Sequence, residues 1–345
     1  MHRRTLLKGL ATLLAGARGF AQTAPQPNNP SFHRVAADYS AQNRGISLLV
    51  MVDGQIVFED YPGRGSPDRA HELASGTKSF CGVMAVAAAQ DGLVSLDEPL
   101  AQTLTEWQGD PLRSQITLSQ LLHLTSGIPG GTLARPPTYQ AAIQTPAEAP
   151  PDTRFSYGPI PFQIFGEVMR RKLQGDPLLY LERRIFRPIG LEYAFWRRGS
   201  DGHPHLPSGA FLTARNWARF GELVRTGGLW QGRRVLQADL LEKCFEPSRV
   251  NPLYGLTWWL GRPISPAQRA AIGRVGQDIG SLASTPGLPD DLAVAAGAGD
   301  QRLYISRKLK LVVVRQAEGI VESLAGRRTA FSDATFLRLL LTGQP

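Results

Sequence analysis

The residues of this chain best placed to do chemistry are Ser75 and Lys78, a serine and a lysine three positions apart. An almost uninterrupted apolar run follows them, and it predicts a buried helix over residues 75–91. Side chains three positions apart share a helix face, so the lysine amine can reach the serine hydroxyl. Apolar surroundings and the positive end of the helix dipole both disfavour an ammonium and lower the lysine pKa. The pattern therefore predicts a serine nucleophile activated by a neutral lysine.

Two structural interpretations of this pair stay open at this level. Ser75 is a residue type that often caps a helix N-terminus, and Lys78 could extend its amine to the surface. A serine and a lysine at this spacing form a weak motif by themselves. The pair occurs once in the chain, at the start of the most apolar predicted helix, so the catalytic interpretation stands beside the structural ones.

The rest of the chain predicts an α/β (α+β) architecture. A turn at Asp53-Gly54 separates two apolar strands over residues 46–52 and 55–60. Further strands are predicted over residues 254–260, 292–296, 302–306 and 311–315, and helices over residues 115–124, 160–173, 177–186, 214–225 and 333–341. The proline-rich stretch 129–151 predicts a loop over a cleft. We expect one antiparallel sheet built from the N- and C-terminal segments and flanked by helices, with a mainly helical lobe inserted.

Several motifs, taken in order, carry a resemblance to a known family. They are Glu72-Leu73-Ala74-Ser75-Gly76-Thr77-Lys78, Thr125-Ser126-Gly127, Pro151-Asp152-Thr153-Arg154-Phe155-Ser156-Tyr157 and Gly299-Asp300-Gln301. This set, over roughly residues 35–340, resembles the serine β-lactamase-like and penicillin-binding-protein family, which includes class C β-lactamases, related esterases and nylon-oligomer hydrolases. The resemblance implies a β-lactamase/transpeptidase-like fold with an active site at Ser75.

The resemblance also implies roles for particular residues. Ser75 would be the nucleophile, Lys78 its hydrogen-bonded partner, and Tyr157 a second proton carrier. The backbone N–H of Gly297 would join that of Ser75 in an oxyanion hole. We expect the nearby ammonium to lower the pKa of the Tyr157 phenol. Without the resemblance, an ordinary half-buried tyrosine would be the better interpretation of Tyr157.

The chain departs from the family pattern at two motifs. The family's Tyr-x-Asn is Tyr157-Gly158-Pro159 here, so the asparagine amide is missing. The family's Lys/His-Thr-Gly is replaced by small residues over positions 294–299, which offer no cation or hydroxyl to a carboxylate. Both changes favour esters or simple amides over β-lactams as substrates.

Three aromatic residues, Tyr254, Trp258 and Trp259, either line an apolar acyl pocket or belong to the core. Alternation along a strand predicts that only one tryptophan of the adjacent pair faces a cleft. We assign Trp258 to substrate binding.

The expected function is that of a serine hydrolase acting through an acyl-enzyme on small-molecule esters or simple amides. A weak β-lactamase or D-alanyl-D-alanine carboxypeptidase is the alternative within enzymes. A non-catalytic binding or sensing module of the same fold is the alternative of another class. No metal is implied, because the six histidines and two cysteines show no ligand spacing. No organic cofactor is implied either.

The N-terminal residues predict export. Residues 1–21 contain Arg3-Arg4 and a short apolar stretch, which is typical of a twin-arginine signal peptide cleaved after Ala21. The apolar part is too short for a lasting membrane anchor, so the expected location is periplasmic or secreted. A linker over residues 22–34 then leads to one hydrolase domain over residues 35–342. Its sheet lobe comprises about residues 35–105 and 206–342, and its helical lobe about residues 106–205.

The charge and the cysteine content bear on nucleic-acid binding and on disulfide formation. The chain has 38 basic and 29 acidic residues, and four of the basic ones lie in the first 21 positions. Because the others form no long basic run, nucleic-acid binding is unsupported. Cys81 and Cys244 are expected to be buried free thiols, although one disulfide stays open. The oligomeric state does not follow from the sequence.

Overall fold

The computed structural model describes residues 24–271, 279, 282–327 and 329–345, so the predicted signal peptide lies outside the described residues. Within them, the strands form a six-stranded antiparallel sheet, a three-stranded sheet and a two-stranded ribbon. The strands are β1 (Gly45–Val52), β2 (Gln55–Asp60), β3 (His71–Glu72), β4 (Phe195–Trp196), β5 (Ala210–Leu212), β6 (Leu229–Trp230), β7 (Arg233–Arg234), β8 (Trp259–Gly261), β9 (Leu292–Gly297), β10 (Gln301–Ser306) and β11 (Leu311–Ala317).

The large sheet joins the two ends of the described chain. Its strand order is β2-β1-β11-β10-β9-β8, and Leu49 of β1 pairs with Val314 of β11. Strands β1 and β11 are buried along almost their whole length, because helices cover the sheet on both faces. The β1–β2 turn has Asp53 at φ 47° and Gly54 at φ 79°, the left-handed pair that a tight hairpin turn requires.

The described helices lie on both sides of this sheet and in the segment between its strands. They are α1 (Pro30–Gln42), α2 (Ser79–Gln90), α3 (Leu118–Leu122), α4 (Tyr139–Ile143), α5 (Ile160–Leu173), α6 (Pro177–Leu181), α7 (Ala214–Arg225), α8 (Ala238–Glu242), α9 (Pro266–Ala271), α10 (Ile320–Leu324) and α11 (Asp333–Thr342).

Two neighbouring residues of β10 show how the faces are covered. Leu303 lies against Gly221 of α7, whereas Tyr304 stacks on Phe336 of α11. Adjacent strand residues point to opposite faces, so α7 covers one face and α11 the other. Helix α1 packs along α11 and against β1.

Helix α2 occupies the centre of the molecule. Its residues from Ser79 to Ala88 are all buried, as its apolar sequence predicts. Phe80 contacts the rings of Phe186, Trp196 and Phe220, and thereby ties α2 to the helical segment and to α7. The residues just before α2 thereby lie against β9 and β10 of the large sheet.

The expected antiparallel sheet from both termini is present, but three local predictions were wrong. The predicted linker over residues 22–34 missed the start of α1, where Pro30 occupies the first turn and Asn29 caps the Ser31 N–H. The loop over residues 129–151 contains α4. The strand over residues 254–260 is reduced to β8, because the left-handed conformation of Thr257 (φ 74°) interrupts it.

Three further observations concern the described residues alone. None of their helices is both long and apolar enough to cross a membrane. Cys81 and Cys244 are buried and free. No group of three or more His, Cys, Asp or Glu side chains among them converges so that it could hold a metal ion.

Candidate active site

The predicted nucleophile lies in a tight turn directly before α2. Residues Ala74–Lys78 form one 3-10 segment, whose first hydrogen bond runs from the Gly76 N–H to the Leu73 carbonyl at 2.9 Å. The Ser75 N–H precedes that bond and is therefore one of the N–H groups that a helix start leaves for other partners. Ala74 has φ 46°, an uncommon conformation for a residue with a side chain. The turn thus presents both the hydroxyl and the N–H of Ser75.

Lys78 is 3% exposed and its amine contacts the predicted nucleophile. The Lys78 Nζ donates to Ser75 Oγ at 2.8 Å and to the Pro207 carbonyl at 3.1 Å. It also lies 5.0 Å and 5.3 Å from the ring centres of Tyr157 and Phe162. Among the described residues, no carboxylate forms an ion pair with Lys78. Burial without a counter-charge lowers the pKa of Lys78 to about 7. In the neutral form, the amine can accept the Ser75 proton.

Tyr157 is held beside this pair by two neighbouring segments. The Asp152 carboxylate accepts a hydrogen bond from the Thr125 hydroxyl at 2.7 Å, which joins the approach to Tyr157 to the Thr-Ser-Gly turn. Gly130 and Gly158 lie so close that a Cβ on either would clash with the backbone of the other segment. The two glycines therefore allow the Tyr157 backbone to pack closely against the loop that follows the Thr-Ser-Gly turn.

The expected lowering of the Tyr157 pKa was wrong. Desolvation raises the pKa of Tyr157 to about 12, although polar contacts with Ser75 and Trp259 act in the opposite direction. The expectation assumed a permanent ammonium at Lys78, whereas burial makes that amine neutral over much of the pH range above 7. Tyr157 therefore keeps its proton at neutral pH and can donate it.

Gly297 lies at the end of β9, against the nucleophile turn. A Cβ at this position would clash with the Leu73 carbonyl and come within 3.1 Å of the Gly76 nitrogen. The absence of a side chain thus lets the β9 backbone approach the turn that carries Ser75. The structure brings Ser75, Lys78, Tyr157 and Gly297 together, as the resemblance implied.

The assignment of Trp258 to substrate binding was wrong. Trp258 is 0% exposed and its ring stacks on Phe220 in the core, with centroids 6.0 Å apart. Its neighbour Trp259 lines the cavity instead, with its ring centroid 5.5 Å from that of Tyr157. Tyr254 is buried beneath Trp259. Only one tryptophan of the pair faces the cavity, as alternation predicted, but it is Trp259 and not Trp258.

The cavity beside Ser75 has a volume of about 260 Å³. Its lining residues are Ser75, Leu133, Tyr157, Trp259, Ile279, Ala296, Gly297, Ala298, Gly299, Asp300, Arg302, Ser323 and Leu324. Asp300 and Arg302 are the charged members of this set. Apart from these two and the hydroxyl-bearing Ser75, Tyr157 and Ser323, the set consists of apolar residues and glycines.

The sequence-based reasoning missed Arg302, a buried cation on β10 next to β9. Its guanidinium donates to both carboxylate oxygens of Asp333, at 2.7 and 3.2 Å. It also donates to the carbonyls of Gly297 and Gln301, each at 3.1 Å, and more weakly to Asp300. These acceptors engage all three guanidinium nitrogens, so Arg302 holds the end of β9 in place rather than offering a free cation. A β-strand arginine carries no sequence signal for such a role.

The comparisons with known proteins concern the family and the fold of this chain. The sequence pattern of the beta-lactamase family matches residues 32–317, so the chain belongs to that family, whose members are serine hydrolases. The predicted family and the β-lactamase/transpeptidase-like fold are thereby confirmed.

Two solved structures and one curated relative illustrate the likeness. EstCE1, described as a hydrolase with promiscuous acyltransferase activity, shares 14% identity at a TM-score of 0.67, over 90% of this chain and 97% of EstCE1. A penicillin-binding protein homolog from Caulobacter crescentus shares 14% identity at a TM-score of 0.64, over 84% of this chain and 92% of the homolog. Protein flp of Staphylococcus aureus (strain MRSA252) is 20% identical over 181 residues, 47% of this chain. The chain spans about a third (36%) of the length of flp.

The lowered pKa of Lys78 predicts that a neutral residue of similar shape stabilises the fold. Between pH 7 and 10.5, Lys78 is mainly neutral in the folded protein and mainly protonated in the unfolded chain, so unfolding takes up a proton. The free energy of unfolding therefore decreases as the pH falls through this range. We expect Lys78→Met to raise the free energy of unfolding by about 1–3 kcal/mol at pH 7, and by much less at pH 10. Urea denaturation at both pH values measures the difference.

Lys243→Met is the matched control, because the Lys243 side chain is 49% exposed. Its effect should be small and equal at the two pH values. Equal destabilisation by Lys78→Met at both pH values would show that the amine is structural and charged in the folded protein.

Proposed function

We propose that this protein is a serine hydrolase that forms an acyl-enzyme on Ser75 and acts on neutral esters or simple amides. The observation that carries the proposal is the 2.8 Å contact between the buried Lys78 Nζ and the Ser75 Oγ. A neutral amine at that distance is a base for the hydroxyl proton, and a serine so activated is a nucleophile for carbonyl carbon.

The reaction divides into acylation and deacylation. In acylation, Ser75 Oγ bonds to the substrate carbonyl carbon while its proton passes to Lys78 Nζ. The N–H groups of Ser75 and Gly297 stabilise the oxyanion. The bond to the leaving oxygen or nitrogen then breaks, and that atom takes a proton from the Tyr157 hydroxyl, which takes one from Lys78. In deacylation, a water attacks the ester of Ser75, gives its proton to Lys78, and the acid leaves as Ser75 regains a proton.

The two shifted pKa values favour Lys78 over Tyr157 as the base. At pH 7 to 8 a large fraction of Lys78 is neutral, because its pKa is about 7. The Tyr157 phenol, with a pKa of about 12, is almost fully protonated there. An amine that accepts and a phenol that donates together provide both halves of the proton transfer.

The charges around the cavity favour a neutral substrate. Among the described lining residues Arg302 is the cation, and its nitrogens are engaged by Asp333, Asp300 and backbone carbonyls. A substrate carboxylate would find no free cation among the described lining residues and would face the Asp300 carboxylate. The alternative activities, on β-lactams or on peptides ending in D-alanine, both involve anionic substrates.

We also propose that the protein works outside the cytoplasm. The support is the Arg3-Arg4 signal pattern in residues 1–21. N-terminal sequencing of the exported chain should begin near Gln22, and an unprocessed chain in the cytoplasm would contradict the proposal.

A covalent probe separates the enzyme from a binding module of the same fold. We expect a fluorophosphonate to label the folded protein at Ser75, and peptide mapping to locate the adduct. Ser75→Ala should abolish both labelling and ester hydrolysis. Ser79→Ala is the control, since the Ser79 hydroxyl is buried and donates to the Gly76 carbonyl at 2.8 Å. No adduct on Ser75 in folded protein would favour the binding module.

A matched pair of esters tests the preference for neutral substrates. 4-Nitrophenyl butyrate and mono-4-nitrophenyl succinate differ in that a carboxylate replaces the terminal methyl group. We expect kcat/KM to be about tenfold higher for the butyrate, because the described residues of the cavity lining offer no free cation. A chromogenic cephalosporin should react more slowly still. Faster turnover of the succinate or the cephalosporin would instead support the β-lactamase or carboxypeptidase alternative.

The pKa of Lys78 predicts the pH dependence of turnover. The amine must be neutral to accept a proton, so kcat/KM for a neutral ester should fall about tenfold per pH unit below 7 and level off above about 8. Initial rates between pH 5 and 9.5, corrected with Ser75→Ala for spontaneous hydrolysis, give the profile. Activity that is highest below pH 6 would show that the ammonium is the form required.

A further inference from the structure

The cavity beside Ser75 opens at a rim that carries exposed leucines. Leu133 and Leu324 both line the cavity and are 43% and 42% exposed. They are far apart in sequence, yet they meet at the same cavity. Few large apolar side chains are exposed among the described residues. Two of them at one cavity therefore form an apolar patch, unlike apolar residues that are exposed singly.

Helix α10 shows why this apolar rim needs an explanation. None of its five residues is buried, although four of them are not charged and three are large and apolar. Val321 is 77% exposed and Leu324 is 42% exposed. These side chains contribute little to the core, so core packing does not account for them.

The two leucines and the nucleophile line the same cavity. The other apolar side chains in the described lining include those of Tyr157, Trp259 and Ala296, and Asp300, Arg302 and Ser323 are polar members of the same set. An alkyl chain attached to a carbonyl at Ser75 would therefore find apolar side chains in the same cavity as far as Leu324. A chain that carries a carboxylate would lose water there and meet the Asp300 carboxylate, while the Arg302 guanidinium is already engaged by Asp333.

We propose that Leu133 and Leu324 bind the linear apolar chain of a neutral ester, so that the substrates are esters of medium chain length. This inference rests on the proposed function, because it places the ester carbonyl at Ser75. The two leucines are specificity-determining residues, and each methylene that reaches them adds apolar contact.

Two substrate series test the inference. In the first, 4-nitrophenyl esters vary the acyl chain from acetate to decanoate; in the second, alkyl acetates vary the alcohol chain over the same lengths. We expect kcat/KM to rise about two- to fourfold per methylene in one series, up to about eight carbons, as the chain covers the wall and the rim. The series that responds identifies the side of the ester that lies on the rim.

Variants at the rim connect this profile to the two leucines. Leu324→Asp and Leu133→Asp should each lower the octanoate-to-acetate ratio of kcat/KM, or its alcohol-side equivalent, by about tenfold. Leu324→Met should retain the ratio. Leu179→Asp is the matched control, because Leu179 is 59% exposed on α6 and lies outside the cavity lining, so the profile should stay that of the wild type.

The failures of the two proposals are distinguishable. Turnover that depends on Ser75 but is independent of chain length in both series would overturn this inference alone. A rim variant that slows short and long esters equally would also overturn it. Absence of any turnover dependent on Ser75 would overturn the proposed function and this inference together.

Discussion

The removal of water from one amine is the constraint on which the site depends. Lys78 is buried next to two aromatic rings and keeps two hydrogen bonds, but no described carboxylate compensates its charge. Desolvation disfavours the charged form of any group, so it lowers the pKa of a lysine and raises that of a tyrosine. The same surroundings thus make Lys78 an acceptor and Tyr157 a donor. One physical cause separates the two roles that acyl transfer needs.

Sequence reasoning succeeded where the relevant interactions are local. The Ser75–Lys78 contact spans one turn, and the β1–β2 hairpin is defined by Asp53-Gly54, so both follow from short-range pattern. It failed where tertiary packing decides. Alternation showed that one tryptophan must face the cleft, but which one depends on how β8 docks on β9. Whether the pKa of Tyr157 is raised or lowered depends on how fully the neighbouring segments bury its hydroxyl. The extent of that burial cannot be read from the residue types.

At the position of the family's Lys/His-Thr-Gly motif, a cation is still present nearby, but it has a different role. The small residues of β9 remove the side-chain cation expected of the family, and Arg302 supplies a guanidinium from the adjacent strand. That guanidinium binds the Gly297 carbonyl and the buried Asp333 of α11. It therefore holds the end of β9 in place beside the turn that carries Ser75, and its own nitrogens are already engaged.

The pairing of β1 with β11 has a consequence for how the molecule is made. Residues 45–52 pair with residues 311–317, so this part of the sheet stays incomplete until residue 317 has left the ribosome. Contacts of such long sequence separation form slowly. Until then, β1 has an unpaired apolar edge, which is the kind of surface that leads nascent chains to aggregate, and loss of β11 would leave that edge unpaired for good.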